Sequence, residues 1–339
     1  MDGLVIQDNM FNKNSGYGLL EMVRAHVQVP VLGKVLIVCK STDVNYKRLA
    51  EMVDPDPSGD SDQVRLYTTL EAAYAAAVTN SDDVIVLCGQ STHVVAAGIA
   101  WTKSRIHVIG FDGGDRLVQQ GAKIQSTAGA ADAYVIKVTG TRNTFRNIKF
   151  IQADTNVAAL NVLQEGGEGS VYKNCSFVFG VVDNLDLTTS SEVLCGSDSA
   201  TFLNCLFGTE TLLTSAARAV FTIDQVTANQ EFKSNILKDC IFMISSSSAD
   251  ALLLKVAANT DVLFTNLFIN PIMMASVDSA GGIALTVGAA SASSLVKGTI
   301  NFANLATFNI ASFATTADQF MVTGNIPTAA TSGIAVTPA

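Results

Sequence analysis

Phe145-Arg146-Asn147-Ile148-Lys149-Phe150 and Tyr172-Lys173-Asn174-Cys175-Ser176-Phe177 are two copies of one six-residue phrase, and its reading decides the fold. It returns as Phe202-Leu203-Asn204-Cys205-Leu206-Phe207 and as Leu237-Lys238-Asp239-Cys240-Ile241-Phe242. A fifth copy reads Phe264-Thr265-Asn266-Leu267-Phe268-Ile269. The Asn or Asp falls at 147, 174, 204, 239 and 266, at intervals of 27, 30, 35 and 27 residues. Periods of this size mark a solenoid, in which each coil buries its core only against its neighbours.

Apolar residues stand two before the Asn and one and three after it. Strict strand alternation would point positions −2 and +1 to opposite faces, so the chain must bend at the Asn. Asn accepts the left-handed conformation that such a bend needs, and Asp accepts it less well. Stacking then lines these residues into an Asn ladder. Cys175, Cys205 and Cys240 stack inside, and the phenylalanines form a second internal row. The copies lack sustained i, i+3, i+4 periodicity and are rich in β-branched and aromatic residues, which excludes a helical repeat. The expected fold is all-β: a right-handed parallel β-helix with a small α/β N-terminal cap and a C-terminal β segment. On this reading the Asn row is architecture, not a binding site.

Outward from the repeat, Val296-Lys297-Gly298-Thr299-Ile300 continues the pattern with Gly at the bend. Upstream, Val84–Cys88 and Ile106–Gly110 read as strands of the first coils. Roughly six to eight coils at about 4.8 Å make a rod of roughly 30–40 Å. A solenoid must cap its open end. Thr68 to Val78 reads as that cap, a helix with a hydroxyl N-cap, Glu71 three positions after Thr68, and Leu70, Ala73, Tyr74 and Ala77 on one face. A strand near Val35–Cys39 and a helix near Val44–Val53 precede it. The expected organisation is an N-terminal arm over 1–26, an α/β shoulder and helical cap over 27–80, the β-helix over 81–274, and a last coil with a low-charge oligomerisation segment over 275–339. That last stretch has only Asp278, Lys297 and Asp318 as charges. So few charges point to burial between identical subunits.

The whole chain is 48% hydrophobic and only 15% charged, against roughly 25% charged in ordinary soluble domains. Its net charge of −9 argues against a nucleic-acid partner, which requires clustered Lys and Arg. No apolar run approaches the roughly 20 residues of a membrane span, and the Met1-Asp2-Gly3-Leu4 start does not read as a secretory signal. Cys39, Cys88, Cys175, Cys195, Cys205 and Cys240 contain no C-x-x-C pair and are expected to be buried free thiols.

Chemical motifs are weak. Asp54-Pro55-Asp56-Pro57-Ser58-Gly59-Asp60-Ser61-Asp62 has the spacing of a calcium loop, but Arg65 stands where a bidentate Glu is needed, which favours an acidic turn. Glu165/Glu168, Asp183/Asp186 and Asp112/Asp115 are paired carboxylates. Glycoside chemistry needs two carboxyls opposed across a sugar, which sequence proximity does not supply. Among His26, His93 and His107, the last lies between Ile106 and Val108 and is expected to face outward from a strand. No nucleophile elbow, phosphate loop or zinc cluster occurs. No catalytic, cofactor-binding or metal residue is assigned, and no enzyme activity is expected.

Leu32-Gly33-Lys34-Val35-Leu36-Ile37-Val38, the Asp54–Gly59 turn, Val64 to Ala73 and Asp83-Val84-Ile85-Val86-Leu87 resemble a tailed-phage virion protein family with a pectin-lyase-like β-helix. The resemblance runs from about residue 30 to about 270. It implies a structural virion component made in the host cytoplasm. The expected role is a capsid decoration or cement protein, a homo-oligomer with a trimer favoured, seated on the major capsid protein or other virion proteins. The alternative is a short tailspike or collar fibre that binds, or cleaves, host polysaccharide. The chain lacks the Gly-His-Gly cluster of pectin-degrading β-helix enzymes.

Overall fold

The computed structural model describes residues 33–52, 64–89, 91–111, 120–181, 186–209, 211–227, 233–248 and 251–256, with six further strands between 266 and 323. The expected arm, the Asp54–Asp62 motif, His26, Asp112, Asp115, Asp183 and most of the low-charge tail lie outside the described residues.

Three parallel sheets of eleven, eight and seven strands make up the body. The chain visits them in rotation. Strand β3 (Asp83–Cys88) lies in the first sheet, β4 (Thr92–Val95) in the second and β5 (Ile99–Trp101) in the third, and β6 (Ile106–Phe111) returns to the first. One rotation is one coil, so the seven strands of the third sheet count seven three-stranded coils among the described residues. This is a right-handed parallel β-helix. Strands β1 (Val35–Val38) and β2 (Val64–Tyr67) extend the first sheet beyond the first coil, β1 pairing with both β2 and β3.

The bend between the first and second sheets lies at the repeat's Asn. Asn147, Asn174, Asn204 and Asp239 have φ of 55°, 53°, 54° and 53°, the left-handed region. The Asn174 amide donates to Asn147 Oδ1 at 2.8 Å, and the Asn204 amide donates to Asn174 Oδ1 at 3.3 Å. Their backbone N–H groups donate to the next coil, Asn174 to the Leu203 carbonyl and Asn204 to the Lys238 carbonyl, both at 2.9 Å. One coil below Asn147 the register places Gly110 in this column, where a Cβ would lie 2.1 Å from the Asn147 carbonyl oxygen. Only glycine fits there.

The fifth copy is framed differently from the expectation. Lys238 pairs with Ile269 and Ile241 with Ile272, so the place of Asp239 in the next coil is residue 270. Asn266 instead lies inside the strand Asn266–Ile269, paired with Ser294. Apolar residues flank both frames, and only docking on the coil below chooses between them. Ile269 pairs with Lys297, and Gly298, expected at the next bend, lies outside the described residues.

A second left-handed column stands at the corner between the third and first sheets. Asp82, Arg105, Arg142, Gly169, Ser199 and Ser234 have φ between 56° and 69°, and strand register stacks them. Their residue types share nothing, so no sequence signature marks them. Buried residues that follow them bind the neighbouring backbone. Asn143 Oδ1 accepts from Ile106 N at 3.0 Å, and Asn235 Oδ1 accepts from Ala200 N at 2.7 Å.

The interior is columnar. Phe145, Tyr172 and Phe202 stack at 5.2 and 4.8 Å from the first sheet, and Phe150, Phe177 and Phe207 stack at 5.1 and 5.6 Å from the second. Edge-on contacts such as Phe145–Phe150 at 6.0 Å join the columns. Cys175, Cys205 and Cys240 are buried, each donating its thiol to a carbonyl one coil below, on Phe145, Tyr172 and Phe202 at 3.4, 3.5 and 3.4 Å. All six cysteines are free.

Among the described residues two helices belong to the shoulder, α1 (Tyr46–Met52) and α2 (Leu70–Ala76). The N-cap of α2 is Thr69, not Thr68: Thr69 Oγ1 accepts from Ala72 N at 3.2 Å. Glu71 is then too early for a capping box, and its carboxylate accepts from Ala96 N at 3.0 Å instead. Leu70, Ala73 and Ala77 are buried over the first coil, and the Tyr74 ring stacks on Trp101 at 4.1 Å. Lys103 Nζ closes the other helix end, donating to the Tyr74, Ala75 and Ala77 carbonyls at 2.7, 2.8 and 2.6 Å. A cation there also complements the helix dipole.

Replacing Asn174 tests the ladder. Asn174→Ala loses two amide hydrogen bonds and places a Cβ-bearing residue without local compensation in the left-handed region. Chemical denaturation is expected to show a loss of about 2–4 kcal/mol. Asn174→Gly, free of the conformational cost, is expected to lose about half as much.

Candidate functional site

The carboxylate pairs are the first places to seek chemistry. Glu165 is fully enclosed in the coil, while Glu168, three residues on, is exposed, so they share no surface. Register puts Glu165 in a column with Val138 and Cys195. Across the interior the Tyr172 hydroxyl donates to its Oε2, and Gly167 N donates to its Oε1 at 2.7 Å. A Tyr in the Phe column thus answers a Glu in the facing column. Burial pushes the Glu165 carboxyl up to about 8, against the opposing hydrogen bonds from Tyr172 and Gly167. The group is neutral at physiological pH, as a general acid would be, but no substrate reaches it. Asp186 ties down a loop, accepting from Thr214 Oγ1 at 3.0 Å and from Ser215 N at 2.6 Å.

A second enclosed pair carries no signal in the motif reading. Glu192 and Arg218, each about 1% exposed in its side chain, form an ion pair in which Arg218 Nη2 donates to both carboxylate oxygens. Burial raises the Glu192 carboxyl to about 7, with Arg218 pulling it down. Aligning coils by strand register is the signal that finds it, because Glu192 falls level with Val162 and Val220.

The two described histidines are covered side chains. His107 points away from the apolar interior as expected, yet it is covered rather than exposed, with Nε2 3.5 Å from Asp82 Oδ1 beside the Arg105–Asp82 ion pair. His93 pairs with Ile124, placing it in the column that continues through Phe150, and its Nε2 lies 3.1 Å from the Cys88 carbonyl oxygen. Burial lowers both imidazoles and keeps them neutral at physiological pH. Cys39 and Cys88 adjoin each other at the ends of β1 and β3, where burial raises both thiols and leaves them poor nucleophiles. Among the described residues no group of three or more His, Cys, Asp or Glu is placed to hold a metal ion.

The outer faces differ from one another. The third sheet presents Ala100, Lys137, Gln164, Thr222 and Lys255 with Leu194 in one outward row. On the second sheet, one row facing away from the interior runs Lys123, Lys149, Ser176, Leu206, Ile241, of which Ser176 and Ile241 are covered. The first sheet adds half-buried Leu203 and Ile236 in the same late coils, and Met243 is half-buried on the second. The polarity of the surface therefore changes both around the rod and along it.

Comparison with known proteins finds likenesses among solved structures alone. No protein-family model matches the chain, and no curated protein sequence matches it. Among solved structures it is similar to the pectate lyase Pel9A, with a TM-score of 0.45 and 12% identity over 92% of this chain and 83% of that one. It is also similar to the pectin methylesterase from Aspergillus niger, with a TM-score of 0.44 and 14% identity over 88% of this chain and 92% of that one. A third is Geobacillus virus E2 ORF18, with a TM-score of 0.35 and 10% identity over 75% of this chain and 58% of that one. The class, a parallel β-helix, rests on the sheet topology of this chain. At these identities the likeness is one of fold and carries no activity across.

Glu165 gives a pH test. Its carboxyl titrates near 8 in the folded chain and near the ordinary 4.5 when unfolded. Its stabilising contribution is complete below pH 4.5 and is lost as pH rises to about 8, at up to about 1.4 kcal/mol per pH unit. Glu192 adds a loss of the same sign up to about pH 7. Thermal unfolding from pH 5 to 8 is expected to show Glu165→Gln gaining on the wild type as pH rises. Parallel curves would place the ionised form in a better-solvated setting.

Proposed function

We propose that this protein is a structural component of a phage particle, a capsid decoration protein that stabilises the head as a homotrimer seated on the major capsid protein. The observation that carries the reading is the outer surface. Late coils of the first and second sheets carry Leu203, Ile236, Leu206 and Met243 partly exposed beside Lys238, while the third sheet keeps Lys137, Gln164, Thr222 and Lys255 with Leu194 among them. A rod whose late coils carry partly exposed aliphatic side chains suits lateral packing against copies of itself, and closed rotational symmetry is the usual solution for identical chains. The low charge of residues 275–339 is a second support for a contact between subunits. The enclosure of Glu165 and Glu192 is consistent with carboxylates used for architecture.

Light scattering on truncated chains tests the assembly. Removing residues 275–339 is expected to give monomers or aggregates, and removing residues 1–26 is expected to leave the trimer while weakening attachment to particles. A monomeric full-length chain, or an unchanged oligomer without 275–339, overturns this assignment. Cryo-electron microscopy of intact particles tests the station. Density on the tail or collar, with release of host glycan that is lost in Glu168→Ala, would favour the host-polysaccharide reading instead.

A further inference from the structure

The Glu192–Arg218 pair sits where aliphatic side chains prevail. Register aligns Val135, Val162, Glu192, Val220 and Leu253 in one column of the third sheet, all buried. One carboxylate interrupts four hydrocarbons, and one arginine from the next coil answers it. The guanidinium lies 5.4 Å from the Phe179 ring centroid, yet among the described residues its Nε and Nη1 have no hydrogen-bond partner. A desolvated pair with two unsatisfied donor positions stabilises less than the aliphatic pair that the column elsewhere uses. Stability alone does not account for it.

Specificity does. Consecutive coils here are nearly interchangeable inside: Phe145, Tyr172 and Phe202 repeat in one column, Phe150, Phe177 and Phe207 in another, and Cys175 and Cys205 in a third. A coil that docks one step too far down the stack, looping out the coil between, still matches apolar to apolar in these columns. At the Glu192 place it does not match. Arg218 would then face Val162, a buried cation with no counter-charge, and Glu192 would be left with no cation. We propose that Glu192 and Arg218 are a register key, a polar pair that selects which coil stacks on which while contributing little to the depth of the native state. Glu165–Tyr172 cannot serve this way, because its partners are seven residues apart on consecutive strands and would move together.

The test is refolding of the full chain from denaturant after Glu192→Val with Arg218→Met, which restores the column's hydrocarbon character. The proposal expects an equilibrium midpoint at or above the wild-type value. It also expects a several-fold smaller fraction recovered as one protease-resistant species, with the remainder showing an altered hydrogen-exchange pattern over 160–225. Wild-type yield of a single species overturns the key. A clear drop in equilibrium stability also overturns it, because the pair is then an ordinary stabiliser. If the double variant is insoluble, Glu192→Gln with Arg218→Gln keeps a hydrogen-bonded match without charge. Wild-type refolding of that variant supports selection by polar matching, and a loss of equilibrium stability again overturns it.

Discussion

One backbone constraint carries the rest of the structure: a single left-handed residue between the first and second sheets of each coil. With φ near 54° at Asn147, Asn174, Asn204 and Asp239, the strands on either side of the bend both turn apolar residues inward. Without it the Phe at −2 and the Cys at +1 would lie on opposite faces, and neither internal column would exist. The ladder of side-chain amides compensates the conformational cost, since Asn174 gives one bond down to Asn147 and takes one from Asn204 above. At Gly110 no amide is possible, because the Asn147 carbonyl occupies the space of a Cβ.

Once the bends stack, everything inside comes in columns, and the columns set what a polar residue must do there. Glu165 meets Tyr172 and Glu192 meets Arg218, each a polar answer to a polar intrusion. In an environment this dry an unanswered carboxylate would be untenable. These are the most perturbed carboxyls among the described residues, yet they are the least accessible. A shifted carboxyl alone does not define a catalytic centre: the same burial that raises Glu165 also shuts out any substrate.

The outside of a coil is freed from that demand, so its chemistry records what the rod meets. The change from Lys123 and Lys149 to Leu206 along one row costs the fold nothing inside, where the Ile124–Phe150–Phe207 column continues regardless. Variation on the outer rows is therefore the part of the sequence open to an assembly role, and the decoration reading rests on it.

The phrase around each Asn was legible because bend, inward column and period all depend on local chemistry: an Asn that accepts positive φ, a Phe two before it, a small apolar residue after it. The cap helix was legible for the same reason, in the face formed by Leu70, Ala73, Tyr74 and Ala77. Three matters were decided only by the stacked structure. The frame of the fifth coil, where Asn266 yields its place to residue 270, depends on pairing with a strand some thirty residues earlier. The second left-handed column, from Asp82 to Ser234, is imposed by the corner geometry on residues with no common chemistry. The Glu192–Arg218 pair is visible only after coils are superposed, since 26 residues separate its members. A local pattern determines how one coil is shaped, and hydrogen bonding between coils determines which residues that shape brings together.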